Sequence, residues 1–236
     1  MNAKENLLRC IRFENPDWIP MTFVINSACW HNYDQEALKD LIESHKLLFP
    51  DYRRQEGEVV PKYALNARAA EPYTDPWGCL WETTDDGITG SVHGHPLESW
   101  DSFASYKAPS PEETDGTYPL DWEKVAENVL KSREEGRIVA LGLPHGHTYL
   151  RLQDIRGYEN LTFDMVEEDP NLTRLIGMVS DFNYSLVKKY LSLNPDIFGY
   201  AEDLGMQVGP MISPDHFRKY IKPVYRRIMK PAIDKG

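Results

Sequence analysis

Two adjacent carboxylates and two closely spaced imidazoles are the residues of this sequence best suited to proton chemistry. Glu202 and Asp203 close a short apolar run that begins at Asp196 and lies between Asn194-Pro195 and Gly205. His145 and His147 stand in Pro144-His145-Gly146-His147-Thr148-Tyr149, directly after the apolar run 137–143. Bounded apolar runs of this length read as buried parallel strands. In parallel α/β architectures the loops leaving the carboxyl ends of strands carry the reacting groups. If Glu202 and Asp203 continue their strand they point to opposite faces, so only one can face a central cavity. Asp203, beside Gly205, is the first expectation for that role and Glu202 the second, the other acid capping loop amides. His145, His147 and Tyr149 are candidates to orient a ligand, shuttle a proton near neutral pH or join a metal site. The same side chains could instead hydrogen-bond the loop to its surroundings. His93 and His95 have an i, i+2 spacing that puts two imidazoles on one side of a strand. With no third ligand near in sequence, an anchoring role is the better reading for that pair.

Strong local punctuation marks the elements that must position these residues. Asp34, Asp121, Asp169-Pro170 and Ser213-Pro214 are helix starts, the last two with proline at the first helical position. The stripe Leu172, Leu175, Ile176, Val179, Leu186, Val187, Tyr190 and Leu191 predicts one long helix packed on strands. Residues 2–13 read as a short helix, 19–25 as a strand, and Asp86-Gly87 as a hairpin turn. Residues 98–120, rich in proline, form a connecting segment, after which αβ units continue. His45 falls on the apolar face of the helix that Asp34 starts, as a partly buried structural residue, and Arg53-Arg54 reads as a solvated pair.

The 236 residues carry 26 basic and 37 acidic side chains, a formal charge of -11. That balance repels nucleic acid. With 41% hydrophobic and 11% aromatic residues, the composition predicts one folded domain rather than a disordered chain. No apolar run approaches a membrane span and no continuous apolar signal core precedes the first acids, so a cytoplasmic location without a membrane partner is expected. Cys10, Cys29 and Cys79 lack the spacing and even count of a disulfide framework and read as reduced cysteines.

The segments AEDLG and ISPDHFRKYIKPVYRRI resemble the uroporphyrinogen decarboxylase superfamily, whose members carry an acidic strand end followed by a Ser-Pro-x-x-F helix and a second proline. IRFENPDWIP, DPWGCLWE, GITGSVHGHPLESWDSFASYKAPSP and IRGYENLTFDMVEEDP extend the resemblance through nearly the whole chain in the superfamily's order. The resemblance implies an α/β fold of the TIM-type (β/α)8 barrel class. About four barrel strands are countable, so 1–236 reads as the N-terminal portion of a single barrel domain, truncated before the barrel closes. The superfamily holds the decarboxylase of haem biosynthesis and a larger group of corrinoid- and zinc-dependent methyltransferases. Asp75 stands roughly where the decarboxylase keeps its catalytic aspartate, although Asp before Pro also opens ordinary turns. The decarboxylase segment that holds substrate carboxylates is rich in arginine; here it reads IPMTFVINSACW and has none. The expectation is therefore a corrinoid-dependent methyltransferase acting on a small-molecule substrate, with cobalamin on a corrinoid protein and zinc as cofactors. The zinc ligands are expected beyond Gly236. The alternatives are a tetrapyrrole decarboxylase, which would need no cofactor, and an inactive fragment of either.

Overall fold

Leu141, Leu143, Phe198 and Tyr200 belong to two short apolar segments that satisfy their backbone groups on each other. Ala140–Leu143 (β4) and Ile197–Tyr200 (β5) pair in parallel, with Ala140 opposite Ile197 and Leu143 opposite Tyr200. The computed structural model describes residues 2–21, 23–50 and 52–236, and its chain divides into two compact units. One comprises 1–73 and 81–91, the other 74–80 and 92–236. The chain passes from one to the other through three short strands, Tyr73–Thr74 (β1), Leu80–Glu82 (β2) and Ser91–Gly94 (β3).

The first unit is polar and lightly packed. Asn2 caps helix Ala3–Ile11 (α1) by accepting from the Glu5 amide at 2.8 Å. The buried Asn6 then ties the following loop to that helix, donating to the Trp18 carbonyl at 2.8 Å and accepting from the Asp17 amide at 2.7 Å. Ser27–Asn32 (α2) and Gln35–Ser44 (α3) start at Asn26 and Asp34, the second as expected. His45 is exposed at the end of α3, outside the partly buried position expected for it, because the helix has already stopped at Ser44. Arg54 is not a free solvated charge: it reaches Glu36, Asp40 and Glu43 at 2.5, 2.7 and 2.9 Å. The expected strand at 19–25 is a second correction. Its described residues, Thr22 lying outside them, carry no strand, and Ile19 and Val24 are 76% and 79% exposed. Apolar content alone does not make a strand without a partner ladder to satisfy its backbone.

The second unit is a parallel β4–β5 pair covered by helices. Asp121 caps Trp122–Glu134 (α4) through the Glu123 and Lys124 amides. After β4 come Tyr149–Arg156 (α5), Tyr158–Glu167 (α6) and the 23-residue Pro170–Ser192 (α7), which returns the chain to β5. Gly157, at φ +82°, breaks α5 from α6 where a side chain would be strained. The predicted stripe of α7 is buried almost throughout, with Leu172, Leu175, Leu186 and Val187 at 0% exposure. It packs on β4, α5 and the last helix. Beyond β5 a two-residue hairpin, Gly205–Met206 (β6) with Gly209–Pro210 (β7), leads to Pro214–His216 (α8), a π-helical segment Phe217–Ile221, and Lys222–Lys235 (α9). Ser213 caps this run as expected, accepting from the His216 amide at 3.1 Å.

The fold is thus mixed α/β with small sheets. Of the four barrel strands expected, one parallel pair forms, and among the described residues no barrel closes. That pair depends on a bare backbone: a Cβ added at Gly142 would lie 2.6 Å from the Gly199 carbonyl oxygen. Gly142→Ala should therefore destabilise the second unit by about 1–3 kcal/mol, measured as a lowered midpoint of urea unfolding; an unchanged midpoint would show that the strands slide apart freely.

Candidate functional site

The amino end of α5 lacks a cap of its own, and the site is built on what supplies it. Thr148 makes no side-chain cap bond. Its hydroxyl is taken up instead by His147 Nδ1 at 2.7 Å and by Asn183 Nδ2 at 3.4 Å. The free amides at the helix start attract an anion. Glu202, just past β5, meets this need: its Oε1 accepts from the Thr148 amide at 2.9 Å and the Leu150 amide at 3.0 Å. Its Oε2 accepts from the Tyr225 hydroxyl of α9. Asn183, 2% exposed on α7, donates to the His147 carbonyl at 2.7 Å, and the Gly146 amide donates to the Ala201 carbonyl at 3.0 Å. The loop, α5 and α9 therefore converge on one carboxyl group, and α7 braces the loop.

Burial pushes the Glu202 carboxyl upward, against the pull of the Tyr225 hydroxyl and the Leu150, Thr148 and Tyr149 amides. His147 is buried beside it, its ring 5.6 Å from Tyr225 and 6.1 Å from Tyr200. Burial, with a smaller contribution from His145, lowers its pKa to about 4, so the ring is neutral at physiological pH. Burial pushes the Tyr200 hydroxyl to about 12 and the Tyr149 and Tyr225 hydroxyls up as well, so all three are proton donors rather than phenolates. His147 Nε2, the Tyr149 hydroxyl and Gln153 Oε1 are buried without a hydrogen-bond partner. Such polar atoms are expensive to bury, and these three lie on the loop 144–148 and the helix α5 that follows it.

The structure brings together Glu202, His147 and Tyr149, and sets His145 and Asp203 at the rim. His145 Nε2 and Asp203 Oδ2 are 3.4 Å apart, with side chains 57% and 66% exposed. β5 stops at Tyr200, so neither acid continues the strand and strand alternation does not set their directions. Their order is the reverse of that expected: the inward group is Glu202 and Asp203 faces solvent.

Asp75 belongs to a different group. Its Oδ1 accepts from the Trp77 and Cys79 amides at 2.9 and 3.0 Å, and its Oδ2 pairs with Arg151 at 2.5 Å. Arg151 also donates to Thr117 Oγ1 at 3.2 Å. Both charged side chains are at most 5% exposed, which is the geometry of a buried ion pair holding α5 in place. Asp154, 3.8 Å from Arg151, is raised to about 6, first by burial. The sequence reading missed Arg151, Asp154, Asn183 and Tyr225. Arg151 carried a signal, a charged residue within the apolar spacing of Tyr149, Leu152 and Ile155 on one helix.

His95 anchors a loop as read, its Nδ1 2.7 Å from the Asp154 carbonyl. Among the described residues no three His, Cys, Asp or Glu side chains converge as a metal site, so these residues do not fit zinc. Cys10, Cys29 and Cys79 are unbridged, and burial raises the Cys79 thiol. No described helix is long and apolar enough to cross a membrane.

No family model matches the chain, and no curated protein does. Among solved structures it is similar to a methyltransferase from Methanosarcina mazei, with 15% identity and a TM-score of 0.56. The match covers 96% of this chain and 66% of that one, so the chain spans just under two thirds of its neighbour's length. At this identity the likeness is one of fold.

Removing the Asp75 carboxylate leaves a buried guanidinium unpaired. Asp75→Ala should lower stability by about 3–5 kcal/mol, read by urea unfolding, whereas a dispensable surface acid would leave the midpoint in place. His147 gives a pH-dependent counterpart. Between its ordinary 6.5 and about 4 the unfolded chain binds a proton that the folded chain does not, so stability falls as pH drops through that window. Asp154 acts oppositely, binding its proton more tightly in the fold from about 6 down to its ordinary 3.8. The comparison with His147→Gln isolates the first effect: the wild type should lose about 1.5 kcal/mol more than the variant between pH 6.5 and pH 5, and parallel curves would refute the buried neutral ring.

Proposed function

We propose that the chain is the N-terminal portion of a uroporphyrinogen decarboxylase-like barrel enzyme of the corrinoid-dependent methyltransferase branch, acting in the cytoplasm on a small methylated substrate. The observation that carries this reading is Glu202: a desolvated carboxyl at the carboxyl end of a parallel strand, held by two amides and a hydroxyl beside a neutral imidazole. The fold likeness to a methyltransferase agrees with it. So does the arginine-free segment 19–30, where a polyacid substrate would need cations.

In methyl transfer the acceptor's lone pair forms the new bond to carbon. The donor's bond to the methyl group breaks with its electron pair remaining on the donor, and the acceptor's proton must go to a base. Glu202 is assigned as that base, because burial raises its proton affinity while three donors keep its geometry fixed. With Nδ1 donating to Thr148 Oγ1, His147 presents a lone pair at Nε2 to orient the acceptor's hydrogen. His145 and Asp203 form the exposed rim that a ligand would meet first. A corrinoid, when bound, would supply the methyl carrier.

The test is single-turnover spectroscopy of the full-length protein with methylcobalamin and a thiol or folate acceptor, beside an assay of uroporphyrinogen turnover. Demethylation of the cobalamin is expected, with a rate that rises with pH through the Glu202 titration. Glu202→Gln, which keeps an oxygen for the Thr148 and Leu150 amides, should lower that rate by about 10²–10⁴-fold. Saturable uroporphyrinogen turnover with no response to methylcobalamin would overturn the proposal.

A further inference from the structure

The helix that begins at Pro214 is interrupted once, and the interruption lies one turn before Tyr225. Phe217–Ile221 is π-helical between α8 and α9. A π segment adds one residue to a turn, so everything after it is rotated by about 100° relative to an unbroken α-helix. The segment is anchored where it forms. Tyr220 is 8% exposed and donates to the Met165 carbonyl at 3.1 Å, and Ile221 is fully buried. With that anchor fixed, the extra residue determines which side of α9 faces Glu202, and Tyr225 is the residue it brings there. The Tyr225 ring is flanked by His147 at 5.6 Å and Phe217 at 6.0 Å, so its direction is fixed by packing as well as by backbone register.

We propose that Tyr225 is a positioning residue: its hydroxyl, aimed by the π segment, fixes the orientation of the Glu202 carboxyl and sets how tightly that carboxyl holds a proton. Glu202 Oε1 is already committed to the Thr148 and Leu150 amides, so Oε2 is the oxygen left to meet a ligand, and Tyr225 is what constrains it. A hydrogen bond to a carboxylate favours its ionised form. Tyr225 thus opposes the upward push of burial on Glu202. The other titratable groups around Glu202 are His147, which is neutral, Tyr149 and Tyr200, which hold their protons, the deeper Asp154, and the rim pair His145 and Asp203. Beside these, Tyr225 is the group whose hydroxyl bonds to the carboxyl oxygen.

The inference rests on the reading of Glu202 as proton acceptor only for its catalytic meaning. It is therefore tested without substrate, by carbon-13 NMR titration of the glutamate carboxyls, the Glu202 signal being assigned from its absence in Glu202→Gln. In Tyr225→Phe, which keeps the ring and loses the hydroxyl, the Glu202 midpoint should rise by about one pH unit, a tenfold gain in proton affinity. Replacement of Tyr225 by 3-fluorotyrosine, a stronger donor of nearly the same shape, should move it the other way and covers the case in which Tyr225→Phe does not fold. A purely structural Tyr225 would leave the midpoint at its wild-type value in both proteins, and that result would overturn the proposal. Failure of methyl transfer with both shifts present would count against the proposed reaction and leave this assignment standing.

Discussion

An anion must sit at the start of α5, because the loop that leads into it spends its own hydroxyl elsewhere. Thr148 Oγ1 is engaged by His147 and Asn183, so the amides of Thr148 and Leu150 turn to Glu202, a residue 54 positions away from Thr148. A helix start capped from so far along the chain does two things at once. It fixes the carboxyl end of β5 against α5, and it places a carboxylate where a helix dipole stabilises its charge. Burial works the other way. The carboxyl is poised between these opposing effects, and Tyr225 of α9 bears on the same balance. Losing any one of these partners would be felt by β5, α5 and α9 together.

The rest of α5 is held with equal firmness. In its middle Arg151 pairs with Asp75 and reaches Thr117. At its end Arg156 pairs with Asp164 at 2.8 Å and donates to the carbonyls of Leu97 at 2.8 Å and Glu98 at 2.5 Å. Both guanidiniums are under 10% exposed, and each would be costly to bury without those partners. The helix thus cannot slide along or turn about its axis without unpairing a buried charge. A site that works by positioning benefits from that rigidity, since small displacements of reacting groups are expensive in rate. The contrast with His145 and Asp203 is one of environment: the same residue types at the exposed rim are loosely paired and screened by water.

What could be read from the sequence was local. Asp34, Asp121, Asp169 and Ser213 each cap the helix assigned to them, because the bond runs from a side chain to an amide two or three residues on. The stripe of α7 was legible for the same reason, one face repeating at helical spacing. The strand expected at 19–25 was not, since a strand needs a partner that no local pattern specifies. The relation of Glu202 to Asp203 was half legible. Alternation would make two neighbours diverge, but β5 stops at Tyr200, before either of them. Arg151 with Asp75, 76 residues apart, and Tyr225 with Glu202 were beyond local reading, as both are pairings across the fold.

The charges bear on the choice of substrate. Glu202 is stabilised by amides and a hydroxyl, not by a cation, so its negative charge is spread over dipoles and not cancelled. The two guanidiniums of α5, Arg151 and Arg156, are buried and committed to Asp75 and Asp164. Asp154, adjoining Arg151, adds a second acid to the same region. A polyacid entering here would meet carboxylates while Arg151 and Arg156 stay committed to theirs, and each of its own charges would have to be desolvated against that field. On the proposed reading, a neutral acceptor that gives up a proton would face no such penalty, because the transfer would neutralise Glu202 as the new bond forms. The preference proposed for a neutral ligand over a polyacid rests on this arrangement, a buried carboxyl held by dipoles beside guanidiniums already paired.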